Sequence, residues 1–334
     1  MLKAIVIALV LALPAATAGA QDPSTSSGPA ASTSSGQSWP TRSVRLVVPS
    51  SPGGGTDLYA RLLAQGLAEG LKQQFIVDNR PGASGNIGAE IAARAAPDGY
   101  TFLVSANPAL VINPSLYRNL PYHAERDFTA VARGVISPLV FVSHPSVPVT
   151  TLPALVALGK REPGTLPYGS AGAGSTTNLV VKLVEEAAGA RFVHVPYKGI
   201  GQATQGLLSG ETAFMASDIG PVLPHIRSGR VLALAVTERT PQLPGTPTLA
   251  EAGYPKIAAY ASFSVVAPTG TPPAIVQRMS AEIIKVMKSP AIRDKLDSQG
   301  FIPVFDTPDV FAASLKKERQ MWAEVIRRNN IVAD

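Results

Sequence analysis

The sequence predicts an α/β fold made of two similar lobes, each built around a mostly parallel sheet. Short strand-like runs alternate with helical periods, which indicates parallel strands joined by helices. This alternation occurs twice, once before and once after about residue 140. The length of 334 residues also agrees with two domains of roughly 100 to 200 residues each.

The first stretch has a βαβαβ pattern. Val44–Val48 is nearly all apolar, as expected of a strand covered on both faces. After the loop at 49–56, leucines with helical spacing from Leu58 to Leu67 predict the buried stripe of a helix. A second strand (75–77), a helix containing Ile87 and Ile91, and a third strand (101–104) complete the pattern.

The second stretch repeats the pattern, with an amphipathic helix that starts near Leu179. Strands are expected at 139–143, 166–168, 191–195, 212–216 and 232–237, and a short helix at 202–208. In the C-terminal part, Thr271 and Thr307 each precede a proline and are predicted as helix caps. Gly300 is predicted to end the helix between them.

Composition excludes several classes of protein. Lys and Arg number 29 against 23 Asp and Glu, and the net charge of +6 is scattered along the chain, which is not typical of a nucleic-acid-binding surface. Cysteine is absent, so disulfides, thiol catalysis and thiolate zinc sites are excluded. The four histidines lack the spacing of a helical metal pair. No metal, cofactor or catalytic residue is predicted.

The N-terminus has the pattern of an exported protein. Residues 1–20 combine a basic start, a short apolar run and a small-residue end, which predicts a signal peptide; an uncleaved membrane anchor is the alternative. Residues 21–38 are rich in Ser, Gly and Pro and are predicted to form a disordered tether. The mature protein is therefore expected to be exported and not to span the membrane.

Three glycine-rich loops, at 50–57, 169–177 and 195–201, each precede a predicted helix. Glycines let a ligand approach the backbone, and a helix N-terminus offers free N–H groups to an anion. A nucleotide is disfavoured because the first loop lacks the lysine of a P-loop and the second lacks the last glycine of a dinucleotide fingerprint. The alternative for the first loop is a tight turn with Asp57 as a helix cap.

A catalytic site is not evident. The chain contains no G-x-S-x-G nucleophile elbow, and its acids and histidines cannot be assembled into a triad from their spacing. His194 lies in an apolar strand, which favours a packed and hydrogen-bonded side chain over a general base. The loops therefore predict anion binding without chemistry.

An ordered set of short motifs resembles one family of proteins. The motifs are PGGxxD at 52–57, NRPGAxGxxG at 79–88, PDGYT at 97–101, HVPYKG at 194–199, LAVT at 234–237 and APxGTP at 267–272. They resemble the Bug family, also called TctC, the periplasmic solute-binding receptors of tripartite tricarboxylate transporters. The chain differs from the family pattern at Ser50, Asn178 and Ser262, where the family usually has an aromatic residue, a histidine and a tryptophan.

The resemblance implies a type II periplasmic binding protein, with two α/β lobes joined by two crossing strands at 139–143 and 262–267. Lobe one would comprise 39–140 plus 265–334, and lobe two 141–264. The implied ligand is a small carboxylate held in the cleft, and the implied partners are two membrane subunits of a tripartite transporter. An exported hydrolase or lyase, or a receptor that presents its ligand to a membrane sensor, is the alternative.

The same resemblance, together with the loops, suggests a set of ligand-binding residues from both lobes. From lobe one the set contains Gly53, Gly54, Gly55, Thr56, Asp57, Ser84, Gly85, Asn86 and Ala106, and from lobe two Gly172, Ser175, Thr176, Tyr197, Lys198, Gly199 and Asp218. Asp218 is expected to contact a polar or amino group of the ligand, or to be an ordinary turn residue before Gly220 and Pro221.

Overall fold

Within the described residues, the strands form one curled ten-stranded sheet that divides into two groups. The computed structural model describes residues 39–328 and residue 331, and the chain from Trp39 onward forms one compact unit. The predicted signal peptide at 1–20 and the predicted tether at 21–38 lie outside the described residues.

The first group of strands has a parallel core. Strand β1 (Val44–Val48) lies between β2 (Phe75–Asn79) and β3 (Thr101–Ala106) and runs parallel to both. Helices α1 (Gly55–Leu71) and α2 (Asn86–Ala93) connect these strands. The predicted βαβαβ pattern is confirmed.

The long strand β4 (Phe128–Ser143) belongs to both groups. Its first part pairs antiparallel with β9 (Tyr260–Pro268). Its last residues, Leu139–Ser143, pair antiparallel with β7 (Phe214–Asp218) and β8 (Leu232–Val236) in the second group. The predicted strand at 139–143 is therefore the end of a longer strand, and the chain passes between the groups just before it.

The second group is completed by β5 (Pro167–Ser170), which pairs in parallel with both β6 (Val193–Pro196) and β7. Helices α5 (Thr176–Ala188), α6 (Ile200–Leu208) and α7 (Ile219–Arg227) follow β5, β6 and β7 in turn. We call the two groups with their helices lobe one and lobe two. The exact lobe boundaries suggested by the sequence stay a prediction.

The remaining elements mostly flank lobe one. They are α3 (Asn113–Leu116), α4 (Leu152–Arg161), α8 (Pro273–Lys288), α9 (Pro290–Ser298), β10 (Ile302–Pro303) and α10 (Pro308–Arg328). Strand β9 contains the predicted crossing at 262–267 and pairs with β3 and β4 in lobe one.

The prediction that Thr271 caps a helix is wrong. Its hydroxyl donates to the Pro268 carbonyl (2.8 Å), and α8 begins two residues later.

The buried face of α1 is rotated slightly from the leucine stripe that the sequence suggests. Tyr59, Leu63 and Leu67 are buried, whereas Leu58 and Leu62 are only half-buried. The Tyr59 ring lies near Phe263 and Phe301 of the core, and an aromatic side chain of this size buries more apolar area than a leucine. This packing fixes the start of α1 against β9.

Candidate functional site

A cavity lies between the two lobes, where the carboxyl ends of β1, β3, β5 and β7 meet. In α/β folds this edge of a sheet is the usual place for a ligand. Many of the predicted site residues line it: Gly54, Gly55, Thr56, Ser84, Gly85, Ala106, Ser175, Thr176, Lys198, Gly199 and Asp218. The structure therefore brings together residues from all the glycine-rich loops.

The other predicted site residues lie beside the cavity and not in its lining. They are Gly53, Asp57, Asn86, Gly172 and Tyr197. Asn86, for example, accepts hydrogen bonds through Oδ1 from Asn113 Nδ2 (2.6 Å) and from the Tyr122 hydroxyl (2.9 Å). Asn86 thus holds the loop that carries Ser84 and does not face the cavity itself.

Some lining residues were not predicted from the sequence. Ser105, Ala171, Thr177 and Phe263 also line the cavity. Thr177 lies inside the second glycine-rich loop, so the loop itself was a signal for it. Phe263 has no local signal, since it reaches the cavity from β9 only after the sheet has formed.

The loop before α1 is braced by Asp57. Its carboxylate accepts hydrogen bonds from the Gly53 N–H (2.9 Å), Asn79 Nδ2 (3.0 Å) and Arg61 Nε (2.9 Å). Burial opposes ionisation of this group, but these hydrogen bonds hold the pKa of Asp57 below its usual value. The alternative prediction, a tight turn with Asp57 as the helix cap, is wrong about the cap, because Gly54 is the N-cap of α1 and Asp57 is the third residue of the helix.

The loop before α5 is shaped by glycines and a serine cap. Gly172 and Gly174 have φ angles of 119° and 76°, which favour glycine. Ser175 is the N-cap, and its side chain accepts a hydrogen bond from the Asn178 N–H. Asn178 accepts a hydrogen bond from the Gly174 N–H and donates one to the Tyr168 hydroxyl (2.9 Å).

Thr176 is the clearest candidate for contact with a ligand among the residues that line the cavity. It is the first residue of α5 and only 4% exposed, and its hydroxyl has no hydrogen-bond partner among the described residues. The backbone N–H groups of Thr176 and Thr177 belong to the first turn of α5. N–H groups in the first turn of a helix have no acceptor within the helix. A buried hydroxyl without a partner is costly, and an acceptor from a ligand would satisfy it.

The start of α1 is different, because it faces a carboxyl group of the protein. Asp218 lies at the end of β7 and is 4% exposed, and its carboxyl group lies against the Gly55 backbone, where a Cβ atom would be 2.4 Å from Asp218 Oδ2. Burial raises the pKa of Asp218 to about 7. The N-terminus of α1 therefore already faces a carboxyl group of the protein.

The two lobes touch each other around the cavity. The Ser51 N–H donates to the Lys198 carbonyl (3.2 Å), and the Tyr117 hydroxyl donates to the Ala173 carbonyl (3.0 Å). The Ser84 hydroxyl also donates to the Ala173 carbonyl. These direct contacts describe a closed cleft.

Glycines permit this close approach of the lobes. A Cβ atom on Gly199 would lie 2.6 Å from the Ser51 backbone nitrogen, and one on Gly201 would lie 2.0 Å from the Pro52 carbonyl oxygen. Real Cβ atoms do not make such short contacts. The absence of side chains at these two positions is therefore a requirement of the closed cleft.

His194 occupies a supporting place. Its ring stacks on Tyr168 with 5.0 Å between centroids, and its Nε2 lies 2.7 Å from the Ser170 hydroxyl. Ser170 is fully buried at the end of β5 and also bonds to the backbone of the following loop. The prediction of a packed and hydrogen-bonded histidine is confirmed.

Comparison with known families identifies the chain. Residues 59–331 match the model of the tripartite tricarboxylate transporter family receptor, TctC. The chain belongs to this family. It is also 38% identical over 296 residues to protein BugT of Bordetella pertussis, an alignment that covers 88% of this chain and 91% of BugT. The family suggested by the sequence motifs is confirmed.

Solved structures of this receptor family have the same fold as the chain. Rpa4515 of R. palustris, solved with adipate, is 34% identical with a TM-score of 0.85, over 88% of this chain and 99% of that one. MatC of Rhodopseudomonas palustris, with bound malate, is 30% identical with a TM-score of 0.82, over 86% and 100%. The predicted periplasmic binding protein fold is confirmed.

The family and its solved members are binding proteins, and the chain is a solute-binding receptor of the TctC type. Among the helices between residues 39 and 328, none combines the length and the apolar character needed to cross a bilayer.

Proposed function

We propose that this TctC-type receptor captures a small carboxylate-bearing solute in the periplasm and delivers it to the two membrane subunits of a tripartite transporter. The observation that carries the proposal is the buried Thr176 hydroxyl, which has no hydrogen-bond partner among the described residues and belongs to a residue that lines the cavity at the start of α5. Adipate and malate in the related receptors are both carboxylates.

The geometry explains how an anion is held without a buried cation. The positive end of the α5 dipole and the N–H groups of its first turn favour a carboxylate at this position. Hydrogen bonds to a charged group contribute about 1.5 to 3 kcal/mol each. Among the described residues that line the cavity, the only basic side chain is that of Lys198, which is an exposed residue.

Ligand-dependent thermal unfolding tests this function. Protein stripped of ligand by refolding is heated with mono-, di- and tricarboxylates and with the corresponding amides. A carboxylate at 100 times its Kd should add about 2.7 kcal/mol to the free energy of unfolding. Recovery of unchanged ligand supports a receptor, whereas release of a product would indicate an enzyme; stabilisation by no carboxylate would reject the proposal.

Thr176→Val is expected to weaken carboxylate binding by about tenfold or more, because the hydroxyl that meets the ligand is lost while the shape is kept. The measurement is calorimetric titration. Thr212→Val is the matched control, since Thr212 is also buried and its hydroxyl also has no hydrogen-bond partner among the described residues, but it lies outside the cavity lining. Equal affinities for the two variants would show that the Thr176 hydroxyl does not contact the ligand.

A further inference from the structure

The cavity contains a buried acid, which is unexpected in a site for anions. Asp218 and Lys198 are the ionisable side chains among the residues that line it, and only Asp218 is buried. Asp218 has no ion pair with any described residue. Asp218 is the last residue of β7, and it lies opposite Leu139 where β7 pairs with β4.

Asp218 occupies the position that a ligand anion would otherwise take at α1. A Cβ atom on Gly55 would lie 2.4 Å from Asp218 Oδ2 and 2.9 Å from Phe263 Cζ. The carboxyl group is therefore packed against the first residue of α1 with no space between them. A second carboxylate at this helix start would meet the negative charge of Asp218, so the ligand carboxylate belongs at the start of α5.

The charge of Asp218 is only partly compensated. The Gly55 N–H and the α1 dipole stabilise it, but burial of a carboxylate without a cation is costly. A ligand that brings its own positive group would supply the missing partner. The cavity is small, about 70 Å³, and Asp218 and Thr176 both line it, so one compact solute can lie against both.

We propose that Asp218 is the residue that determines specificity, and that it selects solutes carrying a protonated amine together with a carboxylate. This inference rests on the proposed function and adds a second recognition element to it. The carboxylate of the solute binds at Thr176 and Thr177, and its ammonium group donates to the free oxygen of Asp218. Uptake of zwitterionic amino acids, in preference to simple organic acids, follows from this arrangement.

Calorimetric titration at pH 7.5 with matched pairs of compounds tests the proposal. The pairs are propionate and β-alanine, succinate and aspartate, and glutarate and glutamate, which differ by one amino group. The amino-bearing member of the best-fitting pair is expected to bind about ten- to a hundredfold more tightly, as for other hydrogen bonds between charged groups. Asp218→Asn should abolish that preference without lowering the affinity for the simple acid.

Two controls separate a specific effect from damage to the fold. Asp294→Asn removes an exposed acid on α9 and should leave both affinities unchanged. The thermal unfolding curve of Asp218→Asn should stay cooperative, because asparagine has nearly the same shape as aspartate and removes a buried charge.

The possible results distinguish this inference from the proposed function. If the simple acids bind as tightly as their amino partners, or Asp218→Asn weakens both members equally, the specificity role of Asp218 is rejected while carboxylate binding stands. If no compound of any pair binds, both proposals are rejected. If the wild-type protein prefers the amino-bearing member and Asp218→Asn removes that preference, both proposals are supported.

Discussion

Gly201→Ala is expected to reduce ligand affinity by about ten- to a hundredfold. Its new Cβ atom would lie 2.0 Å from the Pro52 carbonyl oxygen across the cleft. Relief of this overlap requires the lobes to separate or the backbone to shift, and overpacking of this kind costs about 1 to 3 kcal/mol. Calorimetric titration measures the loss of affinity, and solution scattering of the ligand-bound protein should show a larger radius of gyration.

The loss of affinity should come from hindered closure of the cleft and not from a folding defect. Gly201 is the second residue of α6 with an ordinary φ, and alanine is the better helix former there by about 1 kcal/mol. Gly245→Ala is the matched control, since Gly245 has no neighbouring atom within 4 Å of a Cβ and no positive φ. Wild-type affinity in Gly201→Ala would mean that the ligand-bound cleft is not closed in this way.

Asp218→Asn is expected to be more stable than the wild-type protein by about 4 kcal/mol at pH 8 and about equally stable at pH 4. The pKa of Asp218 is raised from 3.8 to about 7 in the folded protein, so the folded state binds more protons between these values. The unfolding free energy of the wild type therefore falls as pH rises from about 4 to 7, at about 1.4 kcal/mol per unit.

Urea unfolding of ligand-free protein at pH 4 and pH 8 measures this difference. Other groups titrate in both proteins, so the informative quantity is the wild-type value minus the variant value at each pH. Asp294→Asn, which removes an exposed acid on α9, serves again as the control variant. A constant difference between wild type and Asp218→Asn would mean that the Asp218 carboxyl keeps an ordinary pKa in the folded protein.

The sequence predicts the parallel parts of the fold well and the antiparallel part poorly. β1 and α1 follow from simple apolar patterns, and they are local elements. The first part of β4 was missed because Arg133, Gly134 and Pro138 interrupt its apolar pattern. Arg133 is accommodated by ion pairs with acids far along the chain, at 2.8 Å from Asp306, which local patterns cannot reveal.

The site shows the same division between local and tertiary information. The glycine-rich loops were visible as motifs, since they combine glycines with the start of a helix. The contact between Asp218 and Gly55 joins the ends of β7 and the start of α1 and appears only in the folded chain. The sequence therefore predicts which loops meet, whereas the different roles of the two helix N-termini require the structure.

A crystal structure of the protein with the tightest-binding compound of the matched pairs tests the central claim most directly. The account predicts a carboxylate inside the cavity between the lobes, within about 3.2 Å of the Thr176 hydroxyl and the first N–H groups of α5. A carboxylate bound at the start of α1 with the Asp218 side chain displaced, or a ligand outside the cleft, would contradict it.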